Sequence, residues 1–222
     1  MSRGTRRRLA APAVSIQSEP DIPLVHRAVI ERALRWAWAV LCKKWPALVT
    51  GGSEEEITER LQHLLNAHGP DHGRLAPGLR SYETVIRGAK VVSASGAIEK
   101  QPDLVFRPPL SRGVRNRGEW GLFVECKLID GARSVSRYCS GGVARFADGE
   151  YARSMASGAL VAYARDGSTP FDSLDPKLAG RYRTRAHTAG AASDVSDSVH
   201  DRSSVAPARA DISLSHLWLC VR

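Results

Sequence analysis

Residues 119–130 read EWGLFVECKLID, and two charged residues, Glu125 and Lys127, interrupt this otherwise apolar run. A strand alternates its side chains between two faces, so Leu122, Val124, Cys126 and Leu128 share one face, and Phe123, Glu125, Lys127 and Ile129 the other. The first set buries cleanly. The charged pair on the second must be paired, solvated or arranged around something it binds, because an uncompensated buried charge is expensive. For an isolated ExK, an exposed cross-face ion pair on an edge strand is the ordinary reading, and ExK alone does not displace it. The preceding segment QPDLVFRPP, residues 101–109, adds Asp103 at the start of another apolar run. Hairpin-like pairing of the two runs would bring that carboxylate beside the Glu125 end of its neighbour. Two carboxylates at one point suit a hard divalent cation, which prefers oxygen ligands and keeps several waters. An ammonium beside them can orient or help deprotonate an attacking water and can neutralise charge growing on a phosphate.

The elements that must position these residues follow from periodicity. Asp21 and Pro23 suit a helix start, and LVHRAVIERALRWAWAVLCKKW carries Val29, Leu34, Trp38, Leu41 and Trp45 at helical spacing, so these read as packing residues. Pro46 ends or kinks that helix. Ser53 followed by Glu54, Glu55 and Glu56 makes a capping-box start for EEEITERLQHLLNAH, with Ile57, Leu61, Leu64 and Leu65 as its buried stripe. YETVIRGAKVV alternates as one or two strands, PDLVFRP and WGLFVECKLI are strands, and SRGVRNRGE between them is a basic loop. SVSRYCSGGVARFADGEYARSMA is helical but weakened at Gly141-Gly142, where a break or two short helices is expected. SGALVAYA is a compact strand, and ISLSHLWLCVR looks like a late strand returning to the fold.

The chemistry-bearing residues and the order of elements resemble the PD-(D/E)XK nuclease superfamily, which includes many restriction endonucleases. The matching residues are Pro102, Asp103, Glu125 and Lys127, and the resemblance covers about residues 54–164. It implies an α/β, restriction-endonuclease-like αβββαβ core, a central mixed sheet flanked by helices, here with an added N-terminal helix. It further implies Mg²⁺, with Mn²⁺ as a substitute, held by Asp103 and Glu125, and Lys127 assisting the attacking water. Many members add a carboxylate from the first core helix, where Glu54, Glu55 and Glu56 stand. The sequence does not separate the three; Glu56, next to the apolar stripe, is favoured, with simple complementation of the helix dipole as the alternative. The expected activity is metal-dependent hydrolysis of phosphodiester bonds, in DNA before RNA, in a setting such as bacterial restriction or defence. The alternative is a catalytically silent nuclease-like subunit for nucleic-acid binding or assembly.

Partners follow from the same reading. The helix after the catalytic strand commonly faces substrate in such folds, making Tyr138, Arg145 and Tyr151 candidate contacts to phosphate or to neighbouring active-site groups. Arg112, Arg115 and Arg117 of the basic loop are expected close to the metal end, where they could engage backbone phosphates. The chain carries 32 Lys and Arg against 23 Asp and Glu, a net charge of +9 that favours a polyanionic partner. His63, His68 and His72 crowd one helix end without zinc-site spacing, and His200 and His216 could approach the site from the carboxyl end or be stacked or hydrogen-bonded in the core. No sequence pattern for a Ser-His-Asp set, a Walker A loop or a dinucleotide fingerprint appears. Four well-separated cysteines suggest neither zinc knuckle nor disulfide framework and fit a reducing cytoplasm. No run approaches a membrane span. The domain reading is a disordered basic arm over 1–20, an N-terminal helix packing on the core over 21–47, and a nuclease-like domain over 48–222, with part of 184–210 expected to be mobile. A homodimer or a partner subunit stays open.

Overall fold

The computed structural model describes residues 18–69, 73, 75–89, 101–109, 111–206 and 209–221. Most of the basic arm, His72 and the distal part of YETVIRGAKVV lie outside these residues. Three helices come first: α1 (Leu24–Lys44), α2 (Pro46–Gly51) and α3 (Glu54–Asn66). Strands β1 (Leu104–Phe106) and β2 (Leu122–Ile129) follow, then a helical segment made of α4 (Ala132–Tyr138), a π turn (Cys139–Val143) and α5 (Ala144–Ala147). The chain continues through β3 (Ser157–Ala164), α6 (Pro170–Leu178), β4 (Thr184–Ala189), β5 (Val195–Asp201) and β6 (Asp211–Cys220).

These build an α/β architecture around one six-stranded mixed sheet in the order β1-β2-β3-β6-β5-β4. The β2, β3 and β6 strands run parallel at its centre, and β1, β5 and β4 join antiparallel at the flanks. The central strands are buried on both faces, which is why VECKLI and SGALVAYA read as nearly continuous apolar runs. On one face Trp38 of α1 stacks on Tyr163 of β3 at 5.5 Å, and the Thr58 hydroxyl of α3 meets the Tyr163 hydroxyl at 2.9 Å. The opposite face is covered by the α4–π–α5 segment. There a Cβ on Gly142 would lie 2.6 Å from Leu160 Cδ2 and 3.8 Å from Glu125 Cγ, so only glycine lets the helix come this close to β2 and β3.

Three expectations change. YETVIRG is not a strand: among its described residues only Ile86 bridges Val105. The backbone of Val85 bonds instead to side-chain amides of α3, with Asn66 accepting from its N–H at 2.8 Å and Gln62 and Asn66 donating to its carbonyl at 2.9 Å. The Gly141-Gly142 pair widens one helical turn without breaking the helix. The segment from 184, expected to be partly mobile, carries β4 and β5 and extends the sheet beyond β6. The end of the basic arm is also anchored: Glu19 is buried, its carboxylate accepts from the N–H groups of Arg115 and Asn116 at 2.9 Å, and the Pro20 carbonyl accepts from Trp120 Nε1.

Candidate active site

Pairing between β1 and β2 covers only Leu104↔Val124, Val105↔Phe123 and Phe106↔Leu122. Beyond Val124 no strand among the described residues lies beside that edge of β2, and its next outward N–H groups belong to Cys126 and Leu128. Buried backbone donors need acceptors. Two carboxylates supply them: Asp103 Oδ2 accepts from Cys126 N at 2.8 Å, and Glu54 Oε2 accepts from Leu128 N at 2.8 Å. The acidic groups therefore sit where the β ladder runs out, one from the lead-in to β1 and one from the first turn of α3.

Lys127 ties them together. Its Nζ lies 2.9 Å from Glu125 Oε1, 2.9 Å from Glu54 Oε1 and 3.9 Å from Asp103 Oδ2, and it donates to the Cys126 carbonyl at 2.8 Å. Burial pulls its pKa down, but Glu125 and Glu54 raise it more, so the ammonium is held above its ordinary value and stays charged. Glu125 is 1% exposed, and its Oε2 is buried without a hydrogen-bond partner. Burial, and then the neighbouring Asp103 charge, push its carboxyl up to about 7 against the pull of Lys127 and Arg145. Burial raises the Asp103 carboxyl as well. Arg145 closes the cluster from the helix side, reaching Glu125 Oε1 at 2.8 Å and the Tyr151 hydroxyl at 2.7 Å, and that hydroxyl donates to the Gln101 carbonyl at 3.0 Å. On the other side Arg87 pairs with Glu55 at 3.2 Å.

Asp103, Glu125, Lys127 and Arg145 are thus brought together, while five other candidates, Glu56, Tyr138, Arg112, Arg115 and Arg117, are not. Glu56, favoured from the sequence, completes the capping box: its carboxylate accepts from both the N–H and the hydroxyl of Ser53 at 2.8 Å, and these bonds lower its pKa. Glu54 is the one of the three acids that reaches Lys127, a distinction periodicity could not draw because it depends on where α3 begins against β2. Tyr138 is fully buried, its hydroxyl 2.9 Å from His216 Nδ1, and so cannot meet a polyanion. The basic loop leaves the sheet at Phe106 and Leu122, the closed end of the β1–β2 hairpin, about 10 Å along the strand from Glu125. That is the end away from Asp103. Arg117 is tied to residues outside the loop, bonded to Glu83 at 2.7 Å and to the Pro108 carbonyl, with its guanidinium 4.9 Å from the Trp120 ring. Arg112 and Arg115 are exposed.

A second polar group lies in the core. Ser198 Oγ joins His200 Nε2 at 2.7 Å to His216 Nε2 at 2.8 Å, and all three residues are fully buried. This is the hydrogen-bonded alternative for the two histidines. Beside it Asp175, His187 and Ser196 align as an acid, an imidazole and a hydroxyl, at 3.1 Å and 3.1 Å. Ser196 has 0% exposure, so its hydroxyl has no path to a substrate, and the trio serves packing.

The donor set of the first cluster, oxygen-only and carrying an orphaned buried carboxylate oxygen, is of the kind Mg²⁺ takes. As the side chains stand, no three His, Cys, Asp or Glu among the described residues are set to hold an ion. The ammonium of Lys127 bonds the carboxylates of Glu54 and Glu125 in that arrangement. No helix among the described residues is long and apolar enough to cross a membrane. Comparisons of the chain with family models, with curated proteins and with solved structures gave no match.

Proposed function

We propose that this protein is a metal-dependent nuclease of the PD-(D/E)XK kind, hydrolysing phosphodiester bonds in nucleic acid, DNA before RNA. The observation that carries the reading is Glu125 Oε2: a buried carboxylate oxygen with no hydrogen-bond partner, beside Asp103 and an ammonium. Such an atom is costly unless something binds it. Asp103 and Glu125 would hold Mg²⁺ or Mn²⁺, with Glu54 alongside. When bound, the ion would supply Lewis-acid polarisation of a phosphoryl oxygen and a more acidic water. Lys127, kept charged by Glu125 and Glu54, would turn a hydrogen bond toward the attacking water once the ion takes a carboxylate oxygen that it now bonds, and would offset negative charge growing on phosphorus. The net charge of +9 favours a polyanionic substrate, and four free thiols accord with a reducing cytoplasm.

The test is digestion of circular, linear and single-stranded DNA and of RNA with Mg²⁺ or Mn²⁺ against EDTA. Wild type should cut only with the ion. Asp103→Ala and Glu125→Gln should each abolish cutting while circular dichroism stays native. Full activity in either variant overturns the site. Salt-sensitive binding without cleavage of any substrate would favour the alternative, a nuclease-like binding or assembly subunit.

A further inference from the structure

Arg145 stands in a position that a regular helix would not provide. Compared with an α-helix, the π turn at Cys139–Val143 carries an extra residue, which rotates everything after it by about 100°. That rotation aims Arg145 at β2, and the glycine at 142, where a Cβ would lie 2.6 Å from Leu160 Cδ2, lets the wide turn lie against β2 and β3. The guanidinium takes Glu125 by Oε1, the same oxygen Lys127 uses, while Oε2 has no partner. Arg145 NH1 also bonds the Tyr151 hydroxyl, and Tyr151, 1% exposed, donates to the carbonyl of Gln101, two residues before Asp103. One chain of hydrogen bonds therefore links the Glu125 carboxylate to the backbone that carries Asp103.

We propose that Arg145 is a positioning residue for Glu125 and not a phosphate contact: with Tyr151 it anchors one carboxylate oxygen, turns the other toward the cation site and holds the Asp103 segment at its distance. The proposal rests on the reading of Asp103 and Glu125 as cation ligands. Hydrogen-bond partners of metal-ligating carboxylates typically matter by 10–100-fold in affinity or activity, whereas loss of one phosphate contact weakens binding across sequences and reduces the salt slope by about one.

The experiment measures Mn²⁺ affinity by calorimetry, duplex binding by anisotropy across a salt series in EDTA, and kcat and KM for cleavage, in Arg145→Ala, Arg145→Lys and Tyr151→Phe. Arg145→Ala should weaken Mn²⁺ binding and lower kcat, each by about tenfold or more, with KM and the salt slope unchanged. Tyr151→Phe should show the same pattern more weakly, and Arg145→Lys should recover part of the Mn²⁺ affinity. A raised KM with a flattened salt slope and unchanged Mn²⁺ affinity would make Arg145 a phosphate contact and overturn the proposal, as would no change in any readout. If wild type cuts no nucleic acid yet Mn²⁺ affinity still falls in Arg145→Ala, the positioning role stands and the nuclease reading fails. If wild type binds no Mn²⁺, both fall.

Discussion

Lys127 has a side chain 18% exposed and four oxygen atoms around its ammonium, from Glu125, Glu54, Asp103 and the Cys126 carbonyl. A compact tetrahedral donor fits that surround, whereas a planar guanidinium needs a longer reach and a forked acceptor set. Lys127→Arg should therefore fail in single-turnover cleavage although a positive charge remains. Metal titration and nucleic-acid binding should persist. Near wild-type cutting by Lys127→Arg would leave the residue a purely electrostatic role. Asp103, Glu125 and Lys127 were legible because strand alternation and a hairpin suffice to juxtapose them. Arg145 was legible as a candidate, but its partner was not, since the π turn that phases it has no periodic signature.

At the level of elements, the site is a consequence of unequal strand lengths. With three residues in β1 against eight in β2, the donors of Cys126 and Leu128 lie past the end of the ladder, and Asp103 and Glu54 take them. The start of α3 shows how closely spaced acids divide the work. Glu56 closes the capping box on Ser53, and Glu54, two residues earlier, points to β2. Glu54→Gln should reduce Mn²⁺ affinity and cleavage, on the order of tenfold, with little loss of helix stability. Glu56→Ala should lower the urea midpoint slightly and leave cleavage unchanged. Paired unfolding and cleavage assays check both, and the reverse pattern would return the metal-side role to Glu56.

Across the whole molecule, buried ionisable groups pull acid stability in two directions. Burial lowers the His200 pKa to about 4 and holds His216 well below its ordinary value. The unfolded chain therefore binds protons first, and the stability these histidines supply above about pH 6.5 is lost as pH falls toward 4, by about 3 kcal/mol for His200. Glu125 acts oppositely. Its carboxyl, raised to about 7, takes a proton in the folded state before the unfolded chain does, so falling pH favours the fold between about 7 and 4.5. His216 acts with His200, and Asp103, also raised by burial, acts with Glu125. Urea unfolding from pH 7.5 to 4.5 should show a steeper loss of stability on acidification in Glu125→Gln than in wild type. A flat profile in Glu125→Gln would show that the histidines are not held neutral.

Local periodicity and one short hairpin were enough to specify the helices around Leu34, Trp38, Leu61 and Leu65, strands within PDLVFRP, WGLFVECKLI and SGALVAYA, and the meeting of Asp103 with Glu125, although β1 keeps only Leu104–Phe106 of its stretch. Only tertiary structure decided the rest. Val85 lost its strand to the amides of Gln62 and Asn66, contacts made across the fold. The polar 184–201 segment became strands because β6 offers it an edge and His200, Ser198 and His216 satisfy one another there. The choice of Glu54 over Glu56, the burial of Tyr138, the pairing of Arg117 with Glu83, and the aim of Arg145 depend on how α3, the basic loop and the π turn sit against β2 and its neighbours. Distances between elements remote in sequence set these outcomes, and residue spacing along a chain does not encode them.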